Sequence, residues 1–282
     1  MKIEGKAFII TGGAGSIGGT AARMIIERGG IAVLFDVLSP EAGTVKAKEW
    51  HADRCHYFQV DIADMDSLES ACAEALKVIP KGSLAGGVHC AAIAPGRKWT
   101  NKLAESVPTF AKVLNVNVYG TFAVDSAIAD AINSQYPDVQ AETFFPRVTE
   151  ERGIIINIAS VVARPVPARC LTYGATKTAV LGISSGMADF LGPFGIRVCT
   201  VSPAVVGSAL MGADRIPYFL SELDASAIFP RRVTDPTEIG HGIVYLIENG
   251  MMNDFELRID GGWRGCSNWA GGDPRQNAIS LE

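Results

Sequence analysis

The sequence predicts an α/β protein built as one doubly wound domain, in which a parallel sheet of seven strands carries helices on both faces. Short apolar runs rich in β-branched residues alternate with amphipathic segments along most of the 282 residues, as is typical of strands buried in a parallel sheet. The first run passes through a glycine-rich turn into a helix, and the second ends on Asp36. Because the alternation continues to residue 262, we expect one domain at 1–262 and a C-terminal tail at 263–282.

The composition suits a globular protein. Hydrophobic residues make up 48% of the chain and charged residues 20%, which allows a large core and excludes disorder for most of the length. The net charge of -5 argues against a general binder of nucleic acid or of membrane surfaces. No apolar stretch is long enough to cross a membrane and no leader pattern opens the chain, so a cytoplasmic protein is expected.

The cysteines are scattered along the chain. They show neither a Cys-x-x-Cys pair nor a Cys/His cluster with zinc spacing, so we expect free thiols in a reducing compartment and no metal site. They are Cys55, Cys72, Cys90, Cys170, Cys199 and Cys266.

The first strand and the turn after it predict a dinucleotide site. Lys6 to Thr11 is apolar, Gly12 to Gly19 is rich in glycine, and a helical segment from Ala21 to Arg28 follows. Glycines allow the backbone N–H groups to approach a pyrophosphate, and the start of the helix favours its charge. The strand-turn-helix order therefore indicates a Rossmann-type fold.

Asp36 ends the second strand, where such folds place the carboxylate that binds the adenosine ribose diol. That carboxylate repels a 2′-phosphate, and the sequence shows no Arg or Lys from Val37 to Pro40 or in the glycine turn, so NAD is predicted over NADP. The alternative is that Asp36 caps the helix that begins near Glu41.

The third and fourth strands add to the same edge of the sheet. Asp61 follows the strand at His56 to Val60 and is interpreted either as an adenine contact or as a helix cap. Ala91 lies in a small-residue turn after the strand at Leu84 to Cys90, where the chain would pass close to the cofactor.

Two features follow the fourth strand. A loop with several cations is either a solvated surface or a handle for an anionic substrate, and it contains Arg97, Lys98, Trp99 and Lys102. Asn117 lies inside a predicted long helix, Val107 to Ile132, where its side chain competes with the backbone and would hold a kink and a water.

The remaining elements complete the alternation. Residues 133–152 are read as a surface excursion, and strands are expected at Ile196 to Ser202 and Phe255 to Ile259, with a helix at Pro236 to Glu248. The apolar segment 203–229 is predicted to form a lid over the site. Its large apolar residues suggest a hydrophobic or aromatic substrate and are equally explained by core packing: Leu210, Met211, Ile216, Tyr218, Phe219, Leu220 and Phe229.

The segment Gly153 to Lys177 carries the predicted chemistry. A buried strand at Gly153 to Ala159 ends on Ser160, and Tyr173 and Lys177 share one face of the following helix because they are four residues apart. Tyrosine has a pKa of about 10, so a phenolate base near neutral pH requires about 4 kcal/mol of stabilisation. Burial opposes this, whereas the Lys177 ammonium and a nicotinamide cation favour it.

On these residues the chain resembles the short-chain dehydrogenase/reductase family from Lys6 to about Gly262. The resemblance rests on the turn Thr11 to Gly18, the run Asn-Val-Asn-Val-Tyr-Gly at 115–120, and Ser160 with Tyr173-x-x-x-Lys177. Within the family, the runs at 153–161 and 194–198 look most like the branch of type II 3-hydroxyacyl-CoA dehydrogenase, also called 17β-hydroxysteroid dehydrogenase type 10.

The resemblance implies a role for each matching residue. Tyr173 is the general acid/base, Ser160 polarises the carbonyl, Lys177 lowers the tyrosine pKa and binds the nicotinamide ribose, and Asn117 fixes a relay water. The implied cofactor contacts are Gly12, Ser16, Ile17, Gly18, Asp36, Asp61, Ile62, Ala91, Tyr173, Lys177, Val206 and Ser208. The pattern is broken at Ser16, at His89-Cys-Ala-Ala92 in place of Asn-Asn-Ala-Gly, and at Ala204 in place of glycine.

The expected function is an NAD-dependent oxidoreductase that interconverts a secondary alcohol and a ketone of a hydrophobic small-molecule substrate. The substrate classes considered are hydroxyacyl, steroid-like and secondary-metabolite compounds. A cyclase, isomerase or lyase on the same scaffold and a non-catalytic NAD-binding protein remain alternatives, because a fold does not fix a function. The resemblance implies a homodimer or homotetramer, and the long helices have apolar faces broad enough for that association.

Overall fold

The computed structural model describes residues 1–95, 102–137, 139, 146, 148–208 and 216–264, without the side chains of residues 169, 217 and 218. Seven strands form one sheet in which every neighbouring pair is parallel. The sheet order is β3-β2-β1-β4-β5-β6-β7. The strands are β1 (Ala7–Thr11), β2 (Ile31–Asp36), β3 (Cys55–Gln59), β4 (Leu84–His89), β5 (Gly153–Ile158), β6 (Ile196–Pro203) and β7 (Phe255–Ile259).

The helices cover both faces of this sheet, and the predicted fold class is confirmed. They are α1 (Ser16–Glu27), α2 (Pro40–Trp50), α3 (Met65–Val78), α4 (Val107–Leu114), α5 (Gly120–Asn133), α6 (Leu171–Leu191), α7 (Ile216–Ser226) and α8 (Pro236–Glu248). Helix α1 begins five residues before the predicted start at Ala21, because the glycine turn already supplies its first residues.

The predicted long helix at 107–132 is continuous but not uniform. A π-helical segment, Asn115–Tyr119, joins α4 to α5 and contains Asn117. A π segment inserts a wider turn into an α-helix and often marks a functional position. The mid-helix asparagine therefore does mark an irregularity in the helix.

Two apolar layers enclose the sheet. One lies between the sheet and α1 and α8, and the other between the sheet and α3, α5 and α6. Strand β4 contains a register shift, since Leu84 pairs with Ala7 whereas Gly86 pairs with Phe8. Ala85 is thus an extra residue, and the alternation of side chains restarts after it. His89 consequently faces the α5 layer, on the same side as Thr11 in the paired strand.

The end of the described chain is packed and not free. Trp263 is buried against Val161 beside the β5 end, and against Leu223 and Ala227 of the α7 region. The first residue of the predicted tail is therefore part of a small cluster next to the lid segment, whereas residues 265–282 lie outside the described part of the chain.

Gly86→Ala is expected to destabilise the protein by several kcal/mol, because a Cβ at this buried position would collide with the backbone oxygen of Ile154 in the neighbouring strand. Gly182→Ala in α6 is the matched control, since its Cβ would meet open space and alanine favours the helix by about 0.5–1 kcal/mol. Urea denaturation of both variants measures the difference. Equal stability of the two would contradict the close strand approach.

Candidate active site

The predicted functional residues gather at one edge of the sheet. Because all strands are parallel, their carboxyl ends lie on the same side, where open α/β sheets bind ligands. Asp36 ends β2, Ser160 follows β5, and Val206 and Ser208 follow β6. Val206 is held there by a bridge to Thr234.

The glycine turn brings backbone close to backbone. Gly12 has a φ of 60°, and a Cβ there would lie 2.9 Å from the nitrogen of Ala91. A Cβ on Gly18 would collide with the carbonyl oxygen of Gly12. Helix α1 begins at Ser16 after Gly15, which supplies no side-chain cap. The first N–H groups of the helix, including those of Ser16 and Ile17, are therefore available to an anion such as a pyrophosphate.

Asp36 is tied to this turn. Its Oδ2 accepts a hydrogen bond from the Ala14 nitrogen at 3.0 Å, and its Oδ1 accepts one from the Val37 nitrogen at 2.8 Å. The side chain that caps α2 is that of Ser39, so the interpretation of Asp36 as a helix cap is wrong.

A cation also reaches the turn, although the sequence pattern did not single it out. Lys46 of α2 donates a hydrogen bond to the Ala14 carbonyl, and its Nζ lies 5.8 Å from the centroid of the Trp50 ring. Lys46 and Ala14 are 32 residues apart in the sequence, so only tertiary packing brings the lysine to the turn.

Asp61 and Ile62 follow β3 at the same edge. Asp61 is exposed, and its Oδ1 accepts from the Ala63 nitrogen at 2.9 Å. Helix α3 is capped by Asp64, so the helix-cap interpretation of Asp61 is also wrong. Ile62 is buried beside Gly120, where α5 begins.

Ser160, Tyr173 and Lys177 come together as the spacing predicts. Ser160 begins a short 3-10 turn, and its Oγ accepts from the Val162 nitrogen at 3.3 Å. The side chain of Ser160 lies close enough to Tyr173 to lower the pKa of the phenol by hydrogen bonding. Lys177 is buried, donates to the Ile158 oxygen at 2.7 Å, and places its Nζ 5.7 Å from the centroid of the Tyr173 ring.

Burial dominates the ionisation of this group. It raises the pKa of Tyr173 well above the ordinary value; Cys170 raises that pKa further, and the hydrogen bond with Ser160 lowers it. Burial lowers the pKa of Lys177 to about 8, against an opposing effect of Cys90. In the protein alone Tyr173 is therefore a neutral phenol, as the argument from burial anticipates.

Asn117 holds the tyrosine helix in place through Thr176. Its side chain accepts from the Ile93 nitrogen at 2.9 Å and donates to the Ile93 oxygen at 3.0 Å and to Thr176 Oγ1 at 3.1 Å. Thr176 Oγ1 in turn donates to the backbone carbonyl oxygen of Tyr173 at 2.7 Å. The loop after β4, the π segment and α6 are thus joined by side chains of one short network.

His89 and Cys90 stand where the family pattern has two asparagines, and both lie near Lys177. His89 is buried, its Nδ1 lies 2.9 Å from Thr11 Oγ1, and burial and the Lys177 ammonium lower its pKa to about 3. Burial raises the pKa of the Cys90 thiol to about 12. The departure from the family pattern was visible in the sequence, whereas these contacts were not.

Some predictions fall outside the described residues. Arg97, Lys98 and Trp99 lie in residues 96–101, and Leu210 and Met211 lie in residues 209–215. Within the described chain, no group of three or more His, Cys, Asp or Glu side chains is placed to hold a metal ion. No helix in the same residues is long and apolar enough to span a membrane.

A parallel doubly wound sheet with a glycine turn and a Ser-Tyr-Lys group at one edge defines a class of nicotinamide-dependent oxidoreductases. Comparison with known proteins agrees: residues 12–264 match the family model described as enoyl-(acyl carrier protein) reductase. The chain is 31% identical to 3-hydroxyacyl-CoA dehydrogenase type-2 of Bos taurus, over 93% of this chain and 97% of that protein. It therefore belongs to the short-chain dehydrogenase/reductase family.

Solved structures support the same assignment. The 3-hydroxyacyl-CoA dehydrogenase type-2 of Mycobacterium avium superposes with a TM-score of 0.78 at 25% identity, covering 93% of this chain and 97% of that one. A structure described as a short chain dehydrogenase/reductase family protein gives a TM-score of 0.73 at 26% identity, with coverage of 93% and 98%. Relatives of this chain are named dehydrogenases that act on alcohol groups.

The buried neutral imidazole of His89 is expected to make the protein less stable in acid. Unfolding raises its pKa from about 3 to its ordinary value near 6.5, so the unfolded state binds more protons between these values. Stability contributed by His89 is complete above about pH 6.5 and falls as the pH decreases, by at most about 1.4 kcal/mol per pH unit.

The test compares urea denaturation of wild type and His89→Asn at several pH values from about 7 down to 5. The difference in unfolding free energy between the two should change in favour of the variant as the pH falls. His241→Asn, at an exposed position of α8, is the matched substitution. A difference that does not vary with pH would contradict a buried neutral His89.

Proposed function

We propose that the protein is an NAD-dependent oxidoreductase that interconverts a secondary alcohol and a ketone. The proposal rests on one observation above the others: Ser160 and Lys177 both lie beside Tyr173, at the sheet edge that also carries the glycine turn. A hydroxyl that can bind a substrate oxygen, a phenol and an ammonium form a proton-transfer group.

The residues at this edge fit a dinucleotide. The space that a Cβ would fill at Gly12 and Gly18, and the open start of α1, suit a pyrophosphate. Asp36 would bind the adenosine ribose, Asp61 and Ile62 would lie near the adenine, and Ala91, Val206 and Ser208 would line the rest. When bound, the nicotinamide supplies the hydride acceptor or donor.

Tyr173 would move the proton. As a neutral phenol it can donate to the oxygen of a ketone that becomes an alkoxide, which is the direction of reduction. For oxidation it must act as a base, and the Lys177 ammonium beneath its ring then stabilises the phenolate. Ser160 would hold the substrate oxygen within reach of the phenol.

Lys177 and Asn117 would hold this geometry. The bond from Lys177 to the Ile158 oxygen fixes the ammonium against β5. The Asn117 side chain is engaged with Ile93 and Thr176, so it would position the backbone at Tyr173 in addition to the relay role that the resemblance implies.

The substrate class is proposed from the apolar surroundings and from the relatives. Segment 203–229 would act as the lid, and its described part exposes Leu220, Ile228 and Phe229, the last at 81%. Relatives named for 3-hydroxyacyl-CoA suggest a hydroxyacyl or other hydrophobic alcohol. A non-catalytic NAD-binding role, or a lyase or isomerase reaction, remains the alternative and is distinguished by the assay below.

The protein is also proposed to form a homodimer or homotetramer and to be cytoplasmic. Helices α4 and α5 expose Val107, Leu114 and Phe122, with Phe122 at 55%, and α6 exposes Phe190. An apolar face of this kind favours association with another copy.

Tyr173→Phe should lower kcat/KM by about 100-fold to 10,000-fold, because it removes the proton-transferring hydroxyl and keeps the ring. The assay uses NAD with a panel of secondary alcohols, and NADH with the matching ketones. Tyr119→Phe, at an exposed position of the π segment, is the matched control. Tight NAD binding without turnover of any panel member, or full activity of Tyr173→Phe, would contradict the proposal.

Asp36→Ala should reduce the preference for NAD over NADP, because it removes the carboxylate that would repel a 2′-phosphate. The ratio of kcat/KM for the two cofactors measures the change. Lys46→Gln in the same background reports whether the lysine at the turn helps to bind the added phosphate. A cofactor ratio equal to that of the wild type in Asp36→Ala would exclude Asp36 as the ribose contact.

A further inference from the structure

A row of polar side chains crosses the sheet inside the apolar layer formed with α5 and α6. Thr11, His89, Asn157 and Thr200 are paired across neighbouring strands and therefore point to the same side. All four are buried, and Asp125 of α5 and Ser184 of α6 join them from the helices. Polar groups buried this deeply are normally hydrogen-bonded, so their partners can be counted.

Asn157 uses both hydrogens of its amide. Its Nδ2 donates to Asp125 Oδ2 at 2.7 Å and to Ser184 Oγ at 2.9 Å, and the Ser184 hydroxyl donates to the Val180 oxygen at 2.8 Å. Asn157 Oδ1 and Asp125 Oδ1 then have no hydrogen-bond partner in the described chain. The amide oxygen of Asn157 is an acceptor, and Asp125 Oδ1 is one when the carboxyl is ionised.

His89 contributes the complementary donor. Thr11 Oγ1 accepts from the Ala91 nitrogen at 3.2 Å and lies 2.9 Å from His89 Nδ1. We assign the hydroxyl hydrogen to this second contact, so that the Thr11 hydroxyl both accepts and donates. Because the ring is neutral, its proton is then on Nε2. Nε2 likewise has no partner in the described residues.

One donor and two acceptors thus belong to residues that are adjacent in the sheet or bonded to each other. A single N–H cannot fully satisfy two acceptors, but a water molecule accepts one hydrogen bond and donates two. We propose that His89, Asn157 and Asp125 form a closed binding site for one water molecule, which accepts from His89 Nε2 and donates to Asn157 Oδ1 and Asp125 Oδ1. Three bonds are the usual number for an internal water.

The bound water affects the ionisation of Asp125 and the orientation of His89. Burial raises the pKa of Asp125 to about 7, and the bond from Asn157 lowers it. A second donor, the bound water, stabilises the carboxylate further. The same water would fix the orientation of the imidazole, which lies close enough to Lys177 for the ammonium to lower the imidazole pKa. The proposal does not depend on the reaction that the protein catalyses.

The first experiment is a crystal structure of the full chain at a resolution that shows internal water. We expect one water peak within hydrogen-bond distance of His89 Nε2, Asn157 Oδ1 and Asp125 Oδ1. A filled position shows that the count of donors and acceptors is correct. A site without a water peak, or with the imidazole bonded directly to the carboxylate, would overturn the proposal.

Two variants give the matched comparison. His89→Phe removes the donor and should abolish the water peak and lower Tm by several degrees. Ser184→Ala removes a bond on the far side of Asn157 and should keep the peak. Retention of the peak in His89→Phe, or its loss in Ser184→Ala, would show that other atoms hold the water.

Infrared spectroscopy of the wild type in solution provides a test that does not require His89→Phe to fold. At about pH 8, above the pKa of about 7 that burial gives Asp125, a water-bound Asp125 is ionised, so no protonated carboxyl band should be lost on substitution by Asp125→Asn. A band that disappears in that variant would show that a proton on Asp125 takes the place of the water, and would overturn the proposal.

Discussion

The hydrogen bond from the buried Lys177 ammonium to the Ile158 oxygen is the contact on which the site depends. It links α6, which carries Tyr173, to the end of β5, where Ser160 follows. Burying an ammonium is costly unless its hydrogens are bonded, so the lysine cannot leave this position without loss. Its lowered pKa expresses that cost, and the charge it retains is the one available to the tyrosine.

The π segment serves the same geometry from the other side. A regular α-helix through 107–133 would turn Asn117 away from its present direction, whereas the wider turn lets it reach both the loop after β4 and Thr176. The π-helical turn is less favourable than a regular α-helical one, and it is accompanied by hydrogen bonds that fix the backbone at Tyr173. Local irregularity and function coincide here, as is common at active sites.

Sequence patterns predicted the elements whose information is local. The strands follow from short apolar runs, the helix predicted at Pro236 to Glu248 is α8, and the shared face of Tyr173 and Lys177 follows from helical spacing. The contacts of Lys46, Thr176 and His89 were not predictable in this way. Each contact joins residues that are 32 or more positions apart in the sequence, and only the packing of the helices on the sheet brings them together.

The extra residue at Ala85 changes which side of the sheet each later side chain of β4 faces. If side chains are counted alternately from Leu84, the count assigns His89 to the α1 layer and Cys90 to the α5 layer, whereas the shifted register does the opposite for His89. One residue inserted between Gly86 and His89 would exchange the imidazole and the thiol between the two sides of the sheet. The register of this single strand therefore decides which side of the sheet carries the imidazole and which carries the thiol, so a change of one residue in its length alters the chemistry of both faces at once.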